Sequence, residues 1–72
     1  MIFIFDADGL HHYYQIELAK GQSEVITCKT PGVTYILKCT FTRVRGGVAE
    51  LKIEWLNTIT ARTRYEYYSL RG

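Results

Sequence analysis

Residues 33–55 read VTYILKCTFTRVRGGVAELKIEW, and this stretch decides the fold. Val33, Tyr35, Leu37, Cys39 and Phe41 alternate with Thr34, Ile36, Lys38, Thr40 and Thr42, the two-residue period of a strand with one face in a core and the other in solvent. The segment Val48 to Trp55 repeats the pattern, with Ala49, Leu51, Ile53 and Trp55 inward and Glu50, Lys52 and Glu54 outward. Val48, Leu51, Trp55 and Ile59 also fit helical spacing, so a helix at about 48–57 in an α+β fold is the alternative. Such a helix would turn Ile53 away from its own apolar stripe, and the strand is preferred.

The loop between the two strands fixes how they meet. A two-residue Gly46-Gly47 loop in a regular ladder pairs Phe41 with Lys52 and sets the apolar rows on opposite sides of the sheet. A three-residue loop Arg45-Gly46-Gly47 pairs Phe41 with Leu51, Cys39 with Ile53 and Leu37 with Trp55, and places Lys38 opposite Glu54. The sequence therefore predicts the three-residue loop.

Working outward, turn chemistry separates four further strands: Ile2 to Phe5, His11 to Leu18, Glu24 to Lys29 and Ile59 to Tyr68. Asp6-Ala7-Asp8-Gly9, Lys20-Gly21-Gln22-Ser23 and Pro31-Gly32 punctuate them. The last strand places Ile59, Ala61, Thr63, Tyr65 and Tyr67 on one face, and Thr60, Arg62, Arg64, Glu66 and Tyr68 on the other, with Arg62 and Arg64 expected to project from the outer face. Composition agrees, since eight Thr, seven Ile and four Val join ten aromatics to give 29 of 72 residues that suit a pleated surface. The expected architecture is all-β: one small antiparallel six-strand meander, residues 1–72, curled into a roll or open barrel. A chain of this size buries only about 60% of its extended surface, which leaves room for one core and none for a two-lobed enzyme.

The 47% hydrophobic and 22% charged fractions exclude a disordered tail. Apolar runs reach five residues, Met1 to Phe5, far short of a bilayer span, so no membrane contact is expected. Two cysteines, Cys28 and Cys39, make neither a disulfide scaffold nor a zinc motif. They are expected as free thiols in a reducing, cytoplasmic setting.

The run Ile2-Phe3-Ile4-Phe5-Asp6-Ala7-Asp8-Gly9 resembles the first motif of the haloacid-dehalogenase-like phosphatases, an apolar strand followed by D-x-D-G. The resemblance implies Asp6 as nucleophile and Asp8 as general acid with Mg²⁺ between them. It covers eight residues. Leu10 stands where that family has Thr, the chain is too short for its parallel sheet, and no later Asp-Asp pair completes a magnesium site. A hairpin turn is the reading retained. His11-His12 suggests a metal, yet neighbours on a strand point to opposite faces. The sequence thus predicts no catalytic residue, no metal site and no cofactor.

Two binding chemistries remain. Tyr13, Tyr65, Tyr67 and Tyr68, with Phe3, supply large side chains suited to a protein interface, and a first strand apolar on both faces needs covering. The expectation is a non-catalytic protein-binding module, an inhibitor, adaptor or assembly subunit, that self-associates as a homo-oligomer. The alternative is a small β-barrel that binds nucleic acid through Arg43, Arg45, Arg62 and Arg64. The charge distribution motivates it, because residues 1–36 sum to −2 and residues 37–72 to +4. Glu50, Glu54 and Glu66 interleave with those arginines and oppose it, as does a pI near 8.6.

Overall fold

A computed structural model describes residues 1–7 and 12–71, and every regular element among them is a strand. These are β1 (Ile2–Ala7), β2 (His12–Glu17), β3 (Ser23–Thr30), β4 (Val33–Arg45), β5 (Val48–Asn57) and β6 (Thr63–Arg71). The all-β reading holds, and the helix alternative for 48–57 is replaced by β5. The exposed surface of 4834 Å² lies close to the roughly 4600 Å² that a folded chain of this mass presents.

The expected continuous meander breaks once. β1 and β2 form a separate hairpin, while β3-β4-β5-β6 form a four-stranded antiparallel sheet. The break has a local cause. Gly21, at φ 87°, turns the chain at the corner, and Gly21 N then donates to Phe41 O at 2.8 Å while Phe41 N donates to Gln22 O at 3.1 Å. The backbone leaving β2 is thereby handed to β4, and β2 itself pairs only with β1.

The hairpin lies across the inner face of the sheet and the core is what they enclose. Phe3, Phe5, Ile16 and Leu18 come down from the hairpin onto Cys28, Leu37, Cys39, Phe41, Ala49, Leu51, Ile53 and Trp55. Phe3 meets Phe41 edge to face at 5.1 Å, and Phe5 meets Tyr68 at 5.9 Å. Both apolar rows of β1 could have faced inward. The phenylalanines do, leaving Ile2 and Ile4 about half exposed at 52% and 55%.

The β4–β5 register is the expected one, with Phe41↔Leu51, Cys39↔Ile53, Leu37↔Trp55 and Lys38↔Glu54. Its cause differs. Arg45 pairs with Val48, so the loop is the two-residue Gly46-Gly47 with φ of 58° and 77°, both positive as a type I′ turn requires. The register is restored by a β-bulge between Phe41 and Arg43, where Thr42 is the extra residue. Thr42 Oγ1 reaches Glu50 O at 3.2 Å and Glu50 Oε1 at 2.9 Å, which secures the bulge.

The last strand differs more. It begins at Thr63, not Ile59, because Asn57 Oδ1 accepts from Ile59 N at 2.9 Å and Thr60 N at 3.1 Å and folds 58–62 into a turn. Tyr68 and Leu70 stand on the inner side, opposite Leu51 and Ala49. Arg64 and Glu66 share that side, opposite Trp55 and Ile53, so Arg64 does not project from the outer face as its sequence position suggests. Tyr65 and Tyr67 are on the outer face.

Candidate functional site

The residues singled out as an interface separate in the fold. Phe3 is wholly buried and belongs to the core. Tyr68 is half-buried, its hydroxyl donating to Glu66 Oε2 at 2.8 Å, with Asp6 O of the hairpin at 3.4 Å as a weaker second acceptor. Tyr13 is exposed on the outer side of the hairpin, across from Asp6. Tyr65 and Tyr67 remain together on the outer side of the sheet, 53% and 61% exposed, with Lys52 Nζ 4.8 Å from the Tyr65 ring centre.

That outer sheet face has no layer over it among the described residues. Across it the pairing sets Val25 against Lys38, Lys38 against Glu54 and Glu54 against Tyr65, and beside that row Ile36 stands against Leu56. Glu54 is bridged by Lys52 at 3.7 Å rather than by Lys38 directly opposite. Val25 and Ile36 are exposed, so the face mixes aromatic, aliphatic and both signs of charge.

The four arginines also divide. Arg43 and Arg45 flank the Gly46-Gly47 tip on the outer face, where Arg43 bridges Glu50 at 3.2 Å. The bond from Thr42 holds the Glu50 carboxyl below its usual range against an opposing desolvation, and Arg43 adds to the lowering. Arg64 lies seven residues along β5 from that tip, roughly 23 Å at 3.3 Å per residue, and on the other face. Arg43, Arg45 and Arg64 therefore do not form one stripe along which a nucleic-acid backbone could run.

At the Arg62–Arg64 end there is a cleft of about 400 Å³ on the inner side, lined chiefly by Tyr35, Trp55, Asn57, Thr60, Arg62 and Arg64. Tyr35 and Trp55 meet edge to face at 5.4 Å, and the Arg64 guanidinium lies over the indole, 4.3 Å from its centre. Arg64 is ion-paired with Glu66. The turn that frames the cleft is tightly bonded: Ala61 N donates to Asn57 O at 2.8 Å, Asn57 N to Arg62 O at 2.9 Å, and Thr58 Oγ1 to Thr34 O at 2.7 Å. Sequence reasoning named the arginines and missed Tyr35, Trp55 and Asn57. The signal was present, because Leu37↔Trp55 pairing makes Tyr35 a diagonal neighbour of Trp55 on the same face.

Cys28 and Cys39 are both buried and neither is in a disulfide, and burial, with Glu24 adding to it, pushes Cys39 up to about 11. Asp8, Gly9 and His11, on which the phosphatase-like and metal readings rest, lie outside the described residues. Among the described residues no three His, Cys, Asp or Glu converge, and no helix is long and apolar enough to cross a membrane. Compared with known proteins, the chain matches no family model, no curated protein and no solved structure.

Proposed function

We propose that the chain is a non-catalytic protein-binding module that self-associates through the outer face of its four-stranded sheet. The observation that carries this reading is the pair Tyr65 and Tyr67, each more than half exposed on a face without a covering layer among the described residues, which Ile36 and Val25 share two and three strands away. Tyrosine brings a large apolar body and a polar tip to such a surface, and sheets stack face to face about 10 Å apart. Two-fold stacking suits the charges, since Lys38, Lys52 and Glu54 offer each sign to a second copy of the same face. A cytoplasmic location belongs to the same proposal, supported by two cysteines held as thiols.

Sedimentation equilibrium across micromolar concentrations tests it. The expected result is a reversible dimer that Tyr65→Lys together with Tyr67→Lys converts to monomer with an unchanged circular-dichroism spectrum. An 8.4 kDa monomer at every concentration overturns the proposal. Dissociation by Ile4→Lys, with the tyrosine variant still dimeric, moves the interface to the hairpin instead.

A further inference from the structure

The cleft at the Arg62–Arg64 end is independent of the outer face, and its wall chemistry is one-sided. None of the residues lining it carries a carboxylate. Asn57 uses its side-chain oxygen to hold Ile59 N and Thr60 N, which turns its amide NH₂ into the group left for a ligand. Thr60 Oγ1 accepts from Arg62 N at 3.3 Å, leaving its hydroxyl proton to donate. The Arg62 guanidinium is exposed and has no ion pair among the described residues. Trp55 also lines the cleft, and its Nε1 is buried without an acceptor among the described residues. A cleft that offers donors and one unneutralised positive charge is complementary to an oxyanion.

Arg64 supplies the second half of the recognition. Glu66 pairs with its charge, and its guanidinium carbon lies over the indole, 4.3 Å from the ring centre, while the side chain stays 52% exposed. The guanidinium is thus seated on Trp55 and still reachable from solvent, the arrangement of a cation on which a flat ring stacks. The turn carrying Arg62 is fixed by its own hydrogen bonds, so little ordering is required on binding.

We infer that this cleft binds a nucleotide, its phosphate on Arg62 and its base on the Arg64–Trp55 platform. The nucleotide can be free or one unit of a single strand, since the phosphate and the base are common to both.

Trp55 is the only tryptophan in the chain, so its emission reports on this cleft alone. Titration with AMP, excited beyond adenine absorption, should give a saturable change. Arg62→Gln should weaken binding about tenfold, the loss of one charge-assisted contact, whereas Arg45→Gln at the far end of the sheet should leave it unchanged. Thermal unfolding of each variant checks that the fold is kept. Adenosine and inorganic phosphate should each bind about tenfold or more weakly than AMP, because each meets only half of the site. A short oligodeoxyadenylate that binds more tightly than AMP assigns the site to a strand, and equal binding assigns it to the free nucleotide. No saturable change with AMP overturns the inference. So does equal loss in Arg45→Gln, which would mean diffuse charge attraction, or phosphate binding as tightly as AMP. Arg62→Gln changes a residue of the cleft, and Arg45→Gln, although on the outer face, sits at the Gly46-Gly47 tip away from Tyr65 and Tyr67, so the dimerisation test stands or falls separately.

Discussion

Ala61 holds φ at 59°, a left-handed conformation that costs an L-residue roughly 1–2 kcal/mol and glycine nothing. Glycine also gives the unfolded chain more freedom, so Ala61→Gly should raise stability by no more than about 1 kcal/mol in urea denaturation. A loss there would mean that the methyl group makes a contact worth more than the strain. Neighbouring residues of β1 make a sharper contrast. Phe3→Ala should cost about 3–5 kcal/mol, enough to unfold a small domain, whereas Ile4→Ala should stay within about 0.5 kcal/mol. Residue identity could not foretell this, because both rows of Met1 to Phe5 are apolar and only the shape of the opposing sheet selects between them. Two other side chains set an alkaline limit. Burial pushes Cys39 up to about 11, and burial with the bond to Glu66 pushes Tyr68 up to about 12. Each is favoured in its neutral form by the fold, so stability is complete below the ordinary values of 9.0 and 10.0 and falls as pH rises through the shifted ones. The urea midpoint should accordingly be flat near neutrality and decline between pH 9 and 12, less steeply in Tyr68→Phe. A midpoint that holds steady to pH 12 contradicts the burial of both groups.

At the scale of elements, the hairpin of β4 and β5 shows how register can be legible while its mechanism is not. The alternating rows of residues 33–42 and 48–55, with the short loop between them, favour Phe41 opposite Leu51, since a one-residue slip puts an apolar row in water. Two devices achieve that pairing, a longer loop or a bulge, and the pattern of apolar residues does not distinguish them. Thr42 and Glu50 do, through the bond from Thr42 Oγ1 that joins them across the bulge. Deleting Thr42 should therefore be tolerated, because Arg43 would follow Phe41 in a regular ladder and every inward pair would persist. Deleting Thr40 instead turns one half of β4 over and should abolish folding. Thermal melts of the two deletions show whether residue 42 is the one that β4 can spare. In Thr42→Val the Glu50 carboxyl should titrate closer to its ordinary value, readable by NMR, since the hydrogen bond that lowers it most is gone. β6 was misread because Tyr65 and Tyr67 form the more apolar row. The inner row begins with Arg64 and Glu66 only because the hairpin does not reach over that end of the sheet.

For the whole molecule, antiparallel order was readable from turns, but the division into two layers was not. It depends on where the corner after β2 sends the chain, and hydrogen bonds from Gly21 and to Gln22 settle that in three dimensions. The thiols test the layered arrangement, since Cys28 and Cys39 both lie between hairpin and sheet. Alkylation without reductant should modify neither in the native protein and both in denaturant, read by intact mass. Rapid native labelling would show that the layers part easily. The layering has a consequence for the order of synthesis. A ribosome delivers β1 and β2 first, yet the surface that covers Phe3 and Phe5 is contributed by Leu37, Phe41, Leu51 and their neighbours, which follow only after some twenty to thirty further residues. During that interval the emerging hairpin presents its phenylalanines to the cytosol or to the tunnel wall. A stretch that is core in the finished protein is thus, for a time, an uncovered hydrophobic segment.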